Sequence, residues 1–74
     1  MHAADLSRSP RLQRTLAALQ DNPGGLTTME VIRIAGVCAV NSIAAELRAN
    51  GIRLDCSPVR GQRGVYRYRL EEAA

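Results

Sequence analysis

The spacing of apolar residues changes period at Gly51, and that change restricts the chain to a mixed α and β fold. Before it, Val40, Ile43, Ala44 and Leu47 recur at i, i+3, i+4 and i+7, the period of one helix face. After it, Ile52, Leu54 and Cys56 alternate with Arg53, Asp55 and Ser57, which predicts a half-buried strand that Pro58 confines to an edge or a strand end. The stretch VYRYRL resumes the alternation, with Tyr66, Tyr68 and Leu70 opposed to Arg67 and Arg69. The two strands predict an antiparallel hairpin whose tip, RGQRG, is a flexible cationic turn.

Two further helices precede this region. Ser9 before Pro10 reads as an N-cap followed by proline at the first helical position, where a missing N–H costs nothing. Leu12, Leu16 and Leu19 then supply the inward stripe, with Arg11 and Arg14 off it, and DNPGG stops the helix. Thr27 and Glu30 have the spacing of a capping box, and Leu26 and Val31 that of a hydrophobic staple. The second helix is about two turns long, with Val31, Ile34 and Ala35 inward and Gly36 placed to end it. A third helix begins near Cys38 or Asn41 and runs to Asn50 and Gly51, which supply its stop. The expected fold is α+β, three helices followed by a two-stranded wing.

At 74 residues the chain supports one domain, with a core over about 9–70, short flexible ends and no repeats. Phe and Trp are absent, so Leu, Ile, Val and Ala must build the core and the stability margin is modest. The formal net charge is +3 and all 10 basic residues are arginine. Arginine makes planar, bidentate contacts to phosphate and to guanine, although GC-rich coding produces the same bias. Cys38, Cys56 and His2 cannot complete a four-ligand zinc site, so two buried or half-buried free thiols in a reducing cytoplasm are expected. No apolar run approaches the ~20 residues of a membrane span, and MHAADLSRSPR lacks the apolar centre of a signal peptide.

The stretch LTTMEVIRIAGVCAVNSIAAELRANGIRL followed by GVYRYRL resembles the small winged helix-turn-helix domains of phages and prophages. The shared features, in order, are a Leu-Thr-Thr helix start, a glycine-containing turn, Glu-Leu-Arg near the end of the third helix, a glycine and a Tyr-rich closing strand. The likeness covers roughly residues 12 to 70 through short motifs. It implies a DNA-binding protein, most simply a small transcriptional regulator. Members of that group often carry arginine or lysine early in the third helix. Here Ala39 and Ile43 occupy those places, so base readout is expected to be sparse.

In a helix-turn-helix the second helix of the pair enters the major groove, ~12 Å wide, while the first braces it over the backbone. With Val40, Ile43, Ala44 and Leu47 inward, Ser42, Ala45 and Ala49 face out, Asn41 and Arg48 lie along one edge, and Glu46 along the other. Asn41 suits an adenine edge or a phosphate, Ser42 either, and Ala45 a thymine methyl; Arg48 suits a phosphate or a guanine. Asn41 and Ser42 also suit a helix start, and Arg48 a solvated or paired surface position. On the wing, Arg53, Arg60, Arg63, Arg67 and Arg69 are opposed only by Asp55. Arg60, Gln62 and Arg63 are the expected tip contacts to the minor groove or flanking phosphates, with Arg67 behind them. Arg67 and Arg69 serve equally as charges that keep an edge strand from pairing. Thr28, with Arg33, adds backbone contacts from the second helix.

No catalytic constellation or cofactor motif is present, and no enzymatic activity is expected. The expected partner is double-stranded DNA, with a homodimer, cooperative array or protein partner supplying the specificity that one small module lacks. Two rivals remain open. One is a protein-interaction module that uses Ala39, Ala45 and Ala49 as a flat packing patch. The other is an excisionase-like architectural factor, told apart by bending of the duplex.

Overall fold

The computed structural model describes residues 4–71; His2 and the last three residues of the expected tail lie outside them. The helices are α1 (Pro10–Asp21), α2 (Thr28–Ala35) and α3 (Val40–Ala49). The strands are β1 (Leu26–Thr27), β2 (Leu54–Pro58) and β3 (Tyr66–Leu70), in one antiparallel sheet of order β1-β3-β2. The layout is α+β and winged-helix-like in outline, but the expected two-stranded wing is a three-stranded sheet. Leu26 pairs with Tyr68 and Thr27 with Arg67. A two-residue strand carries no alternation to read, so it was legible only as a helix start.

Each helix begins and ends for a local reason. The Ser9 hydroxyl accepts from the Leu12 N–H at 3.4 Å and Pro10 opens α1. Thr27 and Glu30 form the reciprocal capping box of α2: the Thr27 hydroxyl accepts from Glu30 N at 3.3 Å, and the Glu30 carboxylate accepts from Thr27 N at 2.8 Å. The Thr27 backbone N–H, then its hydroxyl, hold the Glu30 carboxyl below its ordinary value, with the charges of Arg67 and Arg33 adding to this. At the end of α3 the Ile52 N–H bonds back to Leu47 O and the Gly51 N–H to Arg48 O, both at 3.0 Å. That pair of bonds is the Schellman closure, and Gly51 takes the left-handed conformation it requires at φ 87°.

The core joins Leu12 and Leu19 of α1, Val31 of α2, Ile43 and Leu47 of α3, and Leu26, Leu54 and Tyr68 of the sheet. Three details differ from the sequence reading. On α1 the buried positions are Leu12, Thr15, Ala18 and Leu19, with Leu16 only half-buried. Thr15 tolerates burial because its hydroxyl donates to Arg11 O at 2.8 Å. On α2 the inward face centres on Val31 and Ala35 with Ile32 beside them; at 100° per residue this turns Ile34 to solvent, where it is 50% exposed. Part of the expected flexible N-terminal end, Ala4 and Leu6, is bonded to the body of the fold. The Asn50 amide accepts from Leu6 N and donates to Ala4 O, fixing a short 3-10 turn at Leu6–Arg8 against the end of α3.

Gly25 turns the chain into β1 at φ 97°, and a Cβ there would lie 2.9 Å from both the Arg67 side chain and Tyr68 O, whereas Gly24 has open space around it. Gly25→Ala should therefore destabilise the fold by about 1–3 kcal/mol while Gly24→Ala leaves the urea midpoint nearly unchanged. Equal effects of the two changes would refute the close approach of β1 to β3.

Candidate nucleic-acid interface

α2 and α3 meet at an 83° bend across the turn at residues 36–39. Two residues in this turn are left-handed, Gly36 at φ 66° and Ala39 at φ 51°. Side chains of α1 hold the turn from behind: Arg14 Nε donates to Ala35 O at 3.0 Å, and Arg11 pairs with Glu46 Oε2 at 2.6 Å. Arg14 thereby satisfies a carbonyl at the end of α2 and complements the dipole there. Arg11 and Arg14 also line an open cleft of ≈ 640 Å³ with Gly36, Val37, Cys38, Ala39 and Ser42.

On α3, Val40, Ile43, Ala44 and Leu47 are buried, while Asn41, Ser42, Ala45, Arg48 and Ala49 are exposed, the division expected from the period. Neither Asn41 nor Ser42 caps the helix: its N-cap residue is Ala39 and no side chain bonds to the first turn. Asn41 instead accepts a 2.7 Å hydrogen bond from the Tyr68 hydroxyl on β3. Burial first, then hydrogen bonding and charge from Cys56, push the Tyr68 phenol above its ordinary value, opposed by Thr28 hydrogen bonding and the Arg48 charge.

Arg48 does not extend freely from α3. Its guanidinium donates to Leu54 O from Nε at 3.1 Å and from Nη2 at 2.9 Å. The bonds from Val59 N to Val65 O and from Glu71 N to Arg53 O set the ladder so that odd-numbered residues of β2 face β3. The outer edge of β2 thus carries the backbone groups of Leu54, Cys56 and Pro58. Arg48 occupies the Leu54 carbonyl and Pro58 has no N–H, so the ladder this edge offers another strand is interrupted at both ends.

The hairpin leaves the body of the protein along its length. Leu54 and Tyr68 are buried, but Cys56 and Tyr66, expected on the same inward side, are exposed because no helix reaches beyond them. Cys38 is exposed as well, so the expectation of buried or half-buried thiols fails at both positions. The tip is closed by backbone turns. Val59 and Gln62, then Gln62 and Val65, are joined by backbone bonds of 3.1 and 3.2 Å, and Gly61 and Gly64 are left-handed. Arg60, Gln62 and Arg63 are exposed on it, with no acidic partner among the described residues.

The remaining wing arginines make no ion pair among the described residues, but each has an acid nearby. Arg69 stands opposite Asp55, and Arg53 is bonded through its carbonyl to Glu71. Arg67 lies opposite Ser57 and Thr27, runs its stem over Gly25 and has Glu30 within its field. The sequence reading, which set only Asp55 against these five arginines, missed Glu30 and Glu71.

Thr28 and Asn41 come together with Thr27, Met29, Gly64, Val65 and Tyr66 around a groove of ≈ 400 Å³ between the wing and the two helix starts. Of the expected residues, Thr28 and Asn41 meet here, Ser42 and Ala45 lie on the adjoining face of α3, and Arg60, Gln62 and Arg63 stand at the tip. Arg48 is bonded within the fold, and Arg67 is exposed with its stem over Gly25. Tyr68, Tyr66, Met29, Arg11 and Arg14 were not anticipated as site residues. A buried tyrosine needs a hydroxyl partner, and that rule points from Tyr68 to a polar residue on the facing helix. No protein-family model, curated protein or solved structure matches this chain.

Two outcomes follow from these contacts. Arg48→Ala should lower stability by about 1 kcal/mol and make sedimentation concentration-dependent as the β2 edge opens; a strictly monomeric variant would refute the edge role. Because the folded Tyr68 phenol holds its proton more tightly than the unfolded one, its contribution is complete below pH 10.0 and is lost as pH rises through the folded value. Urea midpoints should fall above pH 10, with a shallower fall in Tyr68→Phe, and parallel curves for the two proteins would refute it.

Proposed function

We propose that this protein binds double-stranded DNA as a small regulator of the winged helix-turn-helix type. In this reading the exposed face of α3 approaches the major groove and the wing tip follows the backbone or enters the minor groove. The observation that carries it is the position of the two unmatched arginines, Arg60 and Arg63, on a hairpin tip beside the exposed start of α3. Side chains no larger than asparagine at Asn41, Ser42, Ala45 and Ala49 let a helix backbone come close to base edges. The net charge of +3 supports the same partner. The resemblance of LTTMEVIRIAG and GVYRYRL to phage domains of this type agrees with it.

The division among the arginines refines the mechanism. Arg48 is bonded to Leu54 O and the stem of Arg67 lies over Gly25, so phosphate attachment falls first to Arg60 and Arg63, helped by Gln62, Thr28 and the exposed head of Arg67. Base readout is confined to Asn41, Ser42 and Ala45. Such a module attaches strongly through charge and discriminates weakly, so specificity would come from a second copy or another bound protein.

A protein-docking reading draws on one observation of its own. Met29, 72% exposed, and Tyr66, 46% exposed, border the same groove, which is more apolar than a phosphate requires. Fluorescence-anisotropy titration of a random-sequence duplex at two salt concentrations separates the readings. Under the DNA reading the wild type binds in a salt-dependent manner, and Arg60→Ala with Arg63→Ala weakens binding at every sequence. The double change should also reduce the slope of log K against log salt by about 2. Absence of binding at low salt would leave the Met29 and Tyr66 groove as the functional surface.

A further inference from the structure

We infer that Tyr68 is a positioning residue that holds the Asn41 carbonyl toward the hairpin, so that Asn41 meets DNA through its NH2 group and does not select adenine. The inference rests on the DNA-binding reading above. Asn41 is exposed on the first turn of α3, where a side chain of this type reaches a base edge or a phosphate. An unrestrained asparagine selects adenine by turning its carbonyl oxygen and its amide nitrogen side by side toward the base, one to accept and one to donate. Here the oxygen is turned toward the hairpin, 2.7 Å from the hydroxyl of a tyrosine that is only 4% exposed. The amide nitrogen has no hydrogen-bond partner among the described residues, and the residue is exposed.

The direction of the bond follows from the phenol's surroundings. The Tyr68 hydroxyl donates and the Asn41 carbonyl accepts. The phenol's proton has two candidate acceptors, the Asn41 carbonyl and the Cys56 sulfur. An amide oxygen is far the stronger acceptor of the two. Donation runs from Tyr68 to Asn41, and its free end is the Asn41 NH2 group. That end pairs with a phosphate oxygen, with guanine O6 or N7, or with thymine O4.

The test is selection of bound sequences from a randomised duplex pool, with anisotropy on individual duplexes, for wild type, Tyr68→Phe, Asn41→Ala and the double variant. Thermal melting serves as the folding control. Wild type should show no adenine preference that depends on Asn41, and Asn41→Ala should weaken its binding. If that loss is uniform across sequences the acceptor is a phosphate; if it removes a guanine or thymine preference the acceptor is a base edge. Tyr68→Phe, which frees the amide to rotate, should gain an adenine preference on the order of tenfold at one position. The double variant should lose it. An Asn41-dependent adenine preference in the wild type, an unchanged Tyr68→Phe profile, or full binding by Asn41→Ala would each overturn the inference while leaving DNA binding intact. If the wild type binds no duplex at low salt, the reading on which it rests fails with it.

Discussion

The pairing of Leu26 and Thr27 with Tyr68 and Arg67 holds the helical half of the molecule to the wing. Two residues perform several jobs at once. Leu26 fills the core, Thr27 caps α2, and their backbones complete the third strand of the sheet. The cap therefore fixes where α2 begins relative to the sheet, and the sheet fixes where the wing emerges relative to α2. Gly25 is needed because the chain arrives against β3 too closely for a Cβ. With α2 set in this way, the 83° bend and the α1 contacts of Arg11 and Arg14 orient α3. The groove between the wing and the helix starts results from this arrangement.

A core without Phe or Trp leaves much of the cohesion between elements to polar side chains. Arginine supplies a large share of it: Arg14 joins α1 to the end of α2, Arg11 joins α1 to α3, and Arg48 joins α3 to β2. Each keeps its charged head at the surface, where an ion pair is worth ~0–1 kcal/mol and a hydrogen bond to backbone adds a similar amount. These small contributions matter in a domain whose apolar core rests mainly on leucines, isoleucine and valine. They also mean that the number of arginines overstates the charge available to a partner. The wing shows the same economy, since acids stand near or opposite Arg53, Arg67 and Arg69 but not at the tip.

Most of the helical framework was legible in the sequence because its signals are local. Ser9 with Pro10, Thr27 with Glu30, Gly36, and Asn50 with Gly51 each act within a few residues, and all appear at the helix ends they predict. The failures share a different cause. The short β1, the exposure of Cys56 and Tyr66, and the nearness of Glu30 to Arg67 depend on what lies across the fold. Alternation showed that Leu54 and Cys56 share a face of the strand. It could not show that the helices cover only the first of them. In the candidate interface, exposure on α3 followed from period alone, whereas the commitments of Arg48 and Asn41 required knowing that β2 and β3 flank that helix.

The two helices of the pair start in opposite ways, and the contrast bears on their roles. α2 opens with every device available to a helix start, including a reciprocal capping box and a buried residue before it. α3 opens from a left-handed alanine with no side-chain cap, although Asn41 and Ser42 are of types that readily bond to a first turn. A non-glycine residue at φ 51° carries strain that surrounding structure must hold in place. Here the brace from α1 and the burial of Val40 immediately after it do so. The consequence is a helix whose first-turn polar side chains face outward rather than serving the helix itself. α2 is thus built as the fixed member of the pair. α3 leaves the polar side chains of its start exposed, and among the described residues the side-chain hydrogen bond they make is the one from Tyr68 to Asn41.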